Sequence, residues 1–128
     1  MGISMGTFTH PITLIGPSGS ESVEALVDTG ATFTSIPSPI LERLGVAPIR
    51  RIGLGLANGQ VVEGNMGEVL AQLDGERCTI WCVFSPPDAP ALIGAHTLEA
   101  FLLSVDPVEQ RLVPKDALWL KQSCLNLP

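Results

Sequence analysis

Glycine and proline interrupt this chain so regularly that mainly short elements fit between them. They number 24, with 13 glycines and 11 prolines, and they recur at intervals of about 8 to 12 residues, the spacing of many short strands joined by turns. The pattern predicts an all-β barrel or sandwich. At 128 residues the chain has the length of one domain. Hydrophobic residues make up 45% of it and charged residues 16%, enough apolar material for a packed core and too little charge for a disordered chain.

The strands are located by their turns. Thr7 to Ile15 carries Phe8, Ile12 and Leu14 and runs into Gly16-Pro17-Ser18-Gly19, a strong turn signal. Ser22 to Val27 alternates and then becomes fully apolar, as a strand does when it passes from the surface into the core. Phe33 to Ile36 is a short extended piece. Ser38 is then expected to cap a helix with Pro39 at its first position, running through Leu41 and Leu44 to a stop at Gly45.

From Ile49 to Phe84 the chain reads as three strands joined by turns at Asn58-Gly59 and Asp74-Gly75, both dipeptides that favour tight hairpins. Ile52 to Leu56 and Val61 to Glu63 flank the first turn, the tip of a long hairpin. Ser85 to Pro90 is expected as loop, because Pro86, Pro87 and Pro90 cannot donate to a sheet ladder. Ala91 to Gly94 reads as a short buried strand and His96 to Phe101 as one or two helical turns. Leu102 to Val105 and Val108 to Val113 form a last hairpin through Asp106-Pro107, and residues 115–128 fit either a short helix or an interface arm.

Charge and cysteine usage narrow the partners. The formal net charge is -6, and the basic residues are scattered apart from Arg50-Arg51, whereas a nucleic-acid binder needs a concentrated positive field. Cys78 and Cys82 on one extended strand would lie roughly 13 Å apart, too far for a disulfide. With Cys124 they are expected as reduced, buried thiols. Two cysteines and the distant His10 and His96 give no zinc spacing. No apolar run approaches ~18 residues, and no positively charged segment leads into an apolar one at the N-terminus, so a cytoplasmic protein without a membrane partner is expected.

Chemistry is concentrated in Ala25-Leu26-Val27-Asp28-Thr29-Gly30-Ala31-Thr32. A carboxylate directly after three apolar residues is costly to bury without partners. Backbone N–H groups of the turn can supply them, Gly30 allows close approach of the chain, and Thr29 offers a hydroxyl to bridge to another segment. The plain alternative is an ordinary β-turn, in which Asp and Gly are common. Other motifs are weaker. Gly53-Leu54-Gly55-Leu56-Ala57-Asn58-Gly59 has its third glycine one place late for a dinucleotide loop and leads into a strand. Ser35, Ser38 and the histidines offer no nucleophile elbow; His96 reads as a helix-start or surface residue, and Trp81 and Trp119 as core or interface aromatics.

Ala25 to Thr32 resembles the active-site strand and turn of aspartic peptidases. Leu92-Ile93-Gly94 followed by a short helix, about 60 residues downstream, is similar to the second signature of retroviral proteases. With the hairpin at Asn58-Gly59 and the opening hairpin, the resemblance spans about residues 7 to 114. It implies a cellular or prokaryotic member of the retropepsin-like aspartic peptidases: an all-β, closed acid-protease barrel over residues 1–114, with one or two short helices, extended by residues 115–128. Pepsin-like enzymes carry two Asp-Thr-Gly motifs in a chain more than twice as long. The single copy here implies the homodimeric branch, in which an isologous contact brings the same residue of each protomer face to face.

The activity this implies is that of an aspartic endopeptidase needing no metal or organic cofactor. Two Asp28 carboxylates in one site cannot both ionise cheaply, so the pair holds one proton, the known behaviour of aspartic peptidase dyads. The ionised member takes a proton from a water attacking the peptide carbonyl, while the protonated member donates a hydrogen bond to the developing oxyanion. By the same resemblance Thr29 bonds across the dimer, and Gly30 and Ala31 present backbone groups to an extended peptide. The hairpin at Leu56, Ala57, Asn58 and Gly59 closes over that peptide, and Phe33, Ile93 and the apolar hairpin residues meet hydrophobic side chains.

The sequence departs from retroviral proteases in two places. Ala95 and Thr32 stand where those enzymes usually carry an Arg and an Asp, so both members of a charge pair are missing together. The hairpin tip also lacks their glycine-rich run. The rival from another class is a catalytically inactive dimerisation or peptide-binding module on the same fold. Intact Asp28, Thr29 and Gly30 argue against it.

Overall fold

The opening hairpin forms where its turn residues put it. β1 (Thr9–Gly16) and β2 (Gly19–Val27) pair antiparallel from Thr9↔Leu26 to Gly16↔Gly19. Pro17 and Ser18 make the turn, and Gly19 leaves it at φ 146°, a region open to glycine. Along β2 burial rises from exposed Ser22 and Glu24 to buried Ala25 and Val27, so the strand carries the chain from solvent to core. The computed structural model describes residues 8–116 of the chain. The arm or helix expected over 115–128 therefore lies, beyond Lys115 and Asp116, outside the described residues, as do the readings of Trp119 and Cys124.

β3 (Thr34–Pro37) leads directly into α1 (Ser38–Arg43). The cap is one residue earlier than expected: Pro37 occupies it, and Ser38 is already helical. The Ser38 hydroxyl donates instead to the Ser85 carbonyl at 2.8 Å, tying the helix start to a neighbouring strand. Gly45, at φ 79°, ends the helix in the left-handed conformation that suits glycine.

β4 (Arg50–Gly55), β5 (Val61–Leu73) and β6 (Glu76–Ser85) form the expected run of hairpins. Gly59 (φ 88°) and the pair Asp74 (φ 50°) and Gly75 (φ 85°) supply the positive dihedrals that tight turns require. β5 is 13 residues long. Its first half pairs with β4, its second half with β6, and Leu70 to Gln72 also pair with β1.

β7 (Leu92–Ile93) is followed by α2 (Ala95–Ala100), β8 (Leu103–Asp106) and β9 (Arg111–Pro114). Among the described residues the last two strands pair only with each other. β7 inserts between β2, which it meets in parallel, and β3, which it meets antiparallel. The sheet order is β1-β2-β7-β3-β6-β5-β4, and since β1 also pairs with β5 the pairings run round from β1 and return to it. β4 hangs outside that circuit. Inside it Ile12, Leu14, Val27, Ile36, Leu41 and Ile93 are fully buried, each worth about 1.5–3 kcal/mol of transfer free energy.

Candidate active site

Because β7 lies between β2 and β3, the connection from β2 to β3 must cross over the end of β7. That connection is residues 28–33, and it begins with the half-buried Asp28. Asp28 Oδ1 accepts a hydrogen bond from the Gly30 N–H at 2.9 Å, so the carboxylate is oriented by its own turn. Ala31 N–H closes the turn onto the Asp28 carbonyl at 3.1 Å. Thr29 and Gly30 are exposed.

The crossing loop hangs from the segment beneath it by backbone bonds. Asp28 N–H donates to Ile93 O at 2.9 Å, Ala95 N–H to Ala31 O at 2.8 Å and His96 N–H to Thr32 O at 2.9 Å. The last two satisfy the first free N–H groups of α2, which has no side-chain cap. They stand at Ala95 and Thr32, the positions where the charge pair of retroviral proteases is missing.

Underneath, two buried threonines meet: Thr34 Oγ1 and Thr97 Oγ1 lie 2.6 Å apart, and Gly94 N–H donates to Thr34 Oγ1 at 3.1 Å. Sequence reasoning missed both residues, since 63 positions separate them and neither carries a local pattern.

An open groove of about 460 Å³ runs beside the loop. Gly30 to Phe33 and Leu92 form one side, Val83 to Pro86 another, and Ile52 to Leu56 of the β4–β5 hairpin the third. Among the described residues no charged side chain lines it. The alternation of Ile52, Leu54 and Leu56 with Arg51, Gly53 and Gly55 was a legible period-2 signal for this wall. Of the residues expected to meet a peptide, Gly30, Ala31, Phe33 and Leu56 line the groove. Ala57, Asn58 and Gly59 sit exposed at the hairpin tip and do not line it.

Ile93 requires a correction. It is 0% exposed, pairs with Val27 and belongs to the core. Side chains alternate across a strand, so its neighbour Leu92 takes the groove side. His96 is exposed as expected, its ring edge-on to Phe33 with centroids 5.4 Å apart.

Cys78 and Cys82 are free thiols, Cys82 buried as expected and Cys78 only half-buried. Burial pushes the Cys82 thiol from its ordinary 9.0 up to about 12, against a weaker lowering by a hydrogen bond with the Ile36 backbone. Such a thiol is an inert core group. Among the described residues no three His, Cys, Asp or Glu side chains gather as a metal set.

Known proteins give the site a family. Three solved structures share the fold at low identity. The simian foamy virus (mac) protease is 18% identical, with a TM-score of 0.54 over 72% of this chain and 92% of that one. The EIAV protease complexed with the inhibitor HBY-793 is 19% identical, with a TM-score of 0.56 over 72% and 85%. A protein of unknown function from Legionella pneumophila is 18% identical, with a TM-score of 0.53 over 84% and 93%. No curated protein matches the sequence. The family model described as "gag-polyprotein putative aspartyl protease" matches residues 18–100, a span that contains Asp28, the β4–β5 hairpin, the groove and Gly94. By that match over more than half its length, the chain belongs to the gag-polyprotein aspartyl protease family, a retropepsin-like aspartic peptidase family.

Proposed function

We propose that the protein is an aspartic endopeptidase that works as a homodimer, with one Asp28 from each protomer sharing a proton at the twofold axis. The observation that carries this is Asp28 itself: a half-buried carboxylate at the end of a core strand, oriented by the Gly30 N–H, at the start of the loop whose Gly30 to Phe33 line an apolar groove that Asp28 itself does not line. In the pair, one carboxylate acts as base on the attacking water and the other donates to the carbonyl oxygen as charge develops there. No metal or organic cofactor enters the reaction. Thr29, exposed beside Asp28, contacts the partner loop. Gly30 and Ala31 offer backbone groups to the peptide, which lies extended between them and the β4–β5 hairpin. Leu56 covers it, and Ala57, Asn58 and Gly59 complete the closure from the tip. We place the enzyme in the cytoplasm.

Cleavage of casein or a peptide library at mildly acid pH, with and without pepstatin, tests the proposal against an Asp28→Ala variant. Wild type cuts and the variant does not. A wild type that is dimeric, binds peptides and cuts none at any pH is instead the inactive binding module.

A further inference from the structure

We infer that Thr34 and Thr97 are positioning residues for Asp28, an inference that rests on the peptidase reading of that site. Both side chains are buried, at 0% and 1% exposure. A hydroxyl withdrawn from water costs free energy unless it is bonded, whereas valine would fill similar space without that cost. What the threonines add is direction: Thr34 Oγ1 holds Thr97 Oγ1 at 2.6 Å and the Gly94 N–H at 3.1 Å.

The consequence lies one layer up. The loop bearing Asp28 is suspended from Ile93, Ala95 and His96 by backbone bonds, so its height and tilt follow wherever that segment sits. β7 has two residues, and it meets β3 through the single pairing Ser35↔Leu92. The Thr34 hydroxyl supplies the missing restraint. It grips the chain at Gly94 and again one helical turn later at Thr97, which fixes the start of α2 against β3. In a dyad whose two carboxylates must meet across an axis, a displacement of ~1 Å costs on the order of 10²-fold in rate.

The test compares Thr34→Val and Thr34→Ser in the full chain, by peptide cleavage and by amide hydrogen exchange. Thr34→Val is expected to lower kcat about 10- to 100-fold while KM stays within about threefold. Thr34→Ser, which keeps the oxygen, retains kcat within about threefold. In Thr34→Val the Ala95 and His96 amides exchange on the order of 10-fold faster or more, while β5–β6 amides such as Val69 and Ile80 keep their wild-type rates.

Wild-type kcat and wild-type exchange in Thr34→Val overturn the inference, and so does a rise in exchange spread evenly over β5 and β6. A wild type that cleaves no peptide removes the peptidase reading alone. Exchange then still decides whether these hydroxyls hold the loop, by loosening confined to Ala95 and His96 or by none. Should Thr34→Val not fold, Thr97→Val, which leaves the Gly94 bond in place, carries the same expectations at smaller size.

Discussion

Gly94 lies so close beneath Phe33 that a Cβ on Gly94 would stand 2.5 Å from both the carbonyl carbon and the oxygen of Phe33, and 2.9 Å from the Ala31 oxygen. These are backbone atoms, and they cannot swing aside as a side chain can. Gly94→Ala must lift the loop that carries Asp28 or pull β7 from its neighbours. Overpacking of this kind costs about 1–3 kcal/mol or more, so calorimetry is expected to find Tm lowered by roughly 10 °C. Gly55→Ala is the control. A Cβ there meets nothing within 4 Å, and Tm is expected within about 2 °C of wild type.

Adjacent residues of β7 should fail in different ways. Ile93 is fully buried in the core, so Ile93→Ala is expected to lose about 2–5 kcal/mol in urea unfolding. Leu92 lines the groove and is half-buried. Leu92→Ala is expected to raise KM for peptides several-fold at a stability loss of about 1 kcal/mol. Equal losses of stability from the two substitutions would contradict this division of the strand.

What was legible in the sequence was local. Gly59, Gly75 and Gly45 announce their turns because the dihedrals needed there penalise a Cβ, and the β2 burial gradient follows from alternation giving way to an apolar run. Asp28 stood out for the same reason, as a charge set against three apolar neighbours. The insertion of β7 between β2 and β3 left no local trace, because a two-residue strand pairing across 57 and 66 positions has no period to read. That explains both errors of detail at the site. In the four-residue stretch Ala91 to Gly94 the inward face cannot be told from the outward one, so Ile93 was given the groove face that Leu92 occupies. Thr34 and Thr97 read as neutral residues until the fold brought them together. Ser38 was one place late as a cap because its hydroxyl serves Ser85 in another strand.

The Cys82 thiol, raised to about 12 by burial, makes a prediction on the alkaline side. A thiol reagent at pH 8 is expected to leave Cys82 untouched in the folded protein and to modify it on unfolding, since only about one thiol in ten thousand is ionised there. The linkage has a definite sign. The folded value lies above the ordinary 9.0 of an unfolded chain, so the stabilisation is fully present below about pH 9 and is lost as pH climbs towards about 12. Stability curves should fall more steeply over that window in wild type than in Cys82→Ala, whatever the offset between them. Parallel curves would contradict the burial of this thiol.

The proposed sharing of Asp28 between two protomers is tested most directly by mixing subunits. Wild-type and Asp28→Asn chains are exchanged to equilibrium at constant total concentration, and peptide cleavage is followed against the wild-type fraction. If each site draws one Asp28 from each protomer, mixed dimers are inactive, activity follows the square of that fraction, and an equal mixture retains about one quarter of the full rate. A straight line, with about one half retained at equal mixture, would mean that each chain cleaves with its own carboxylate and that the paired site is wrong.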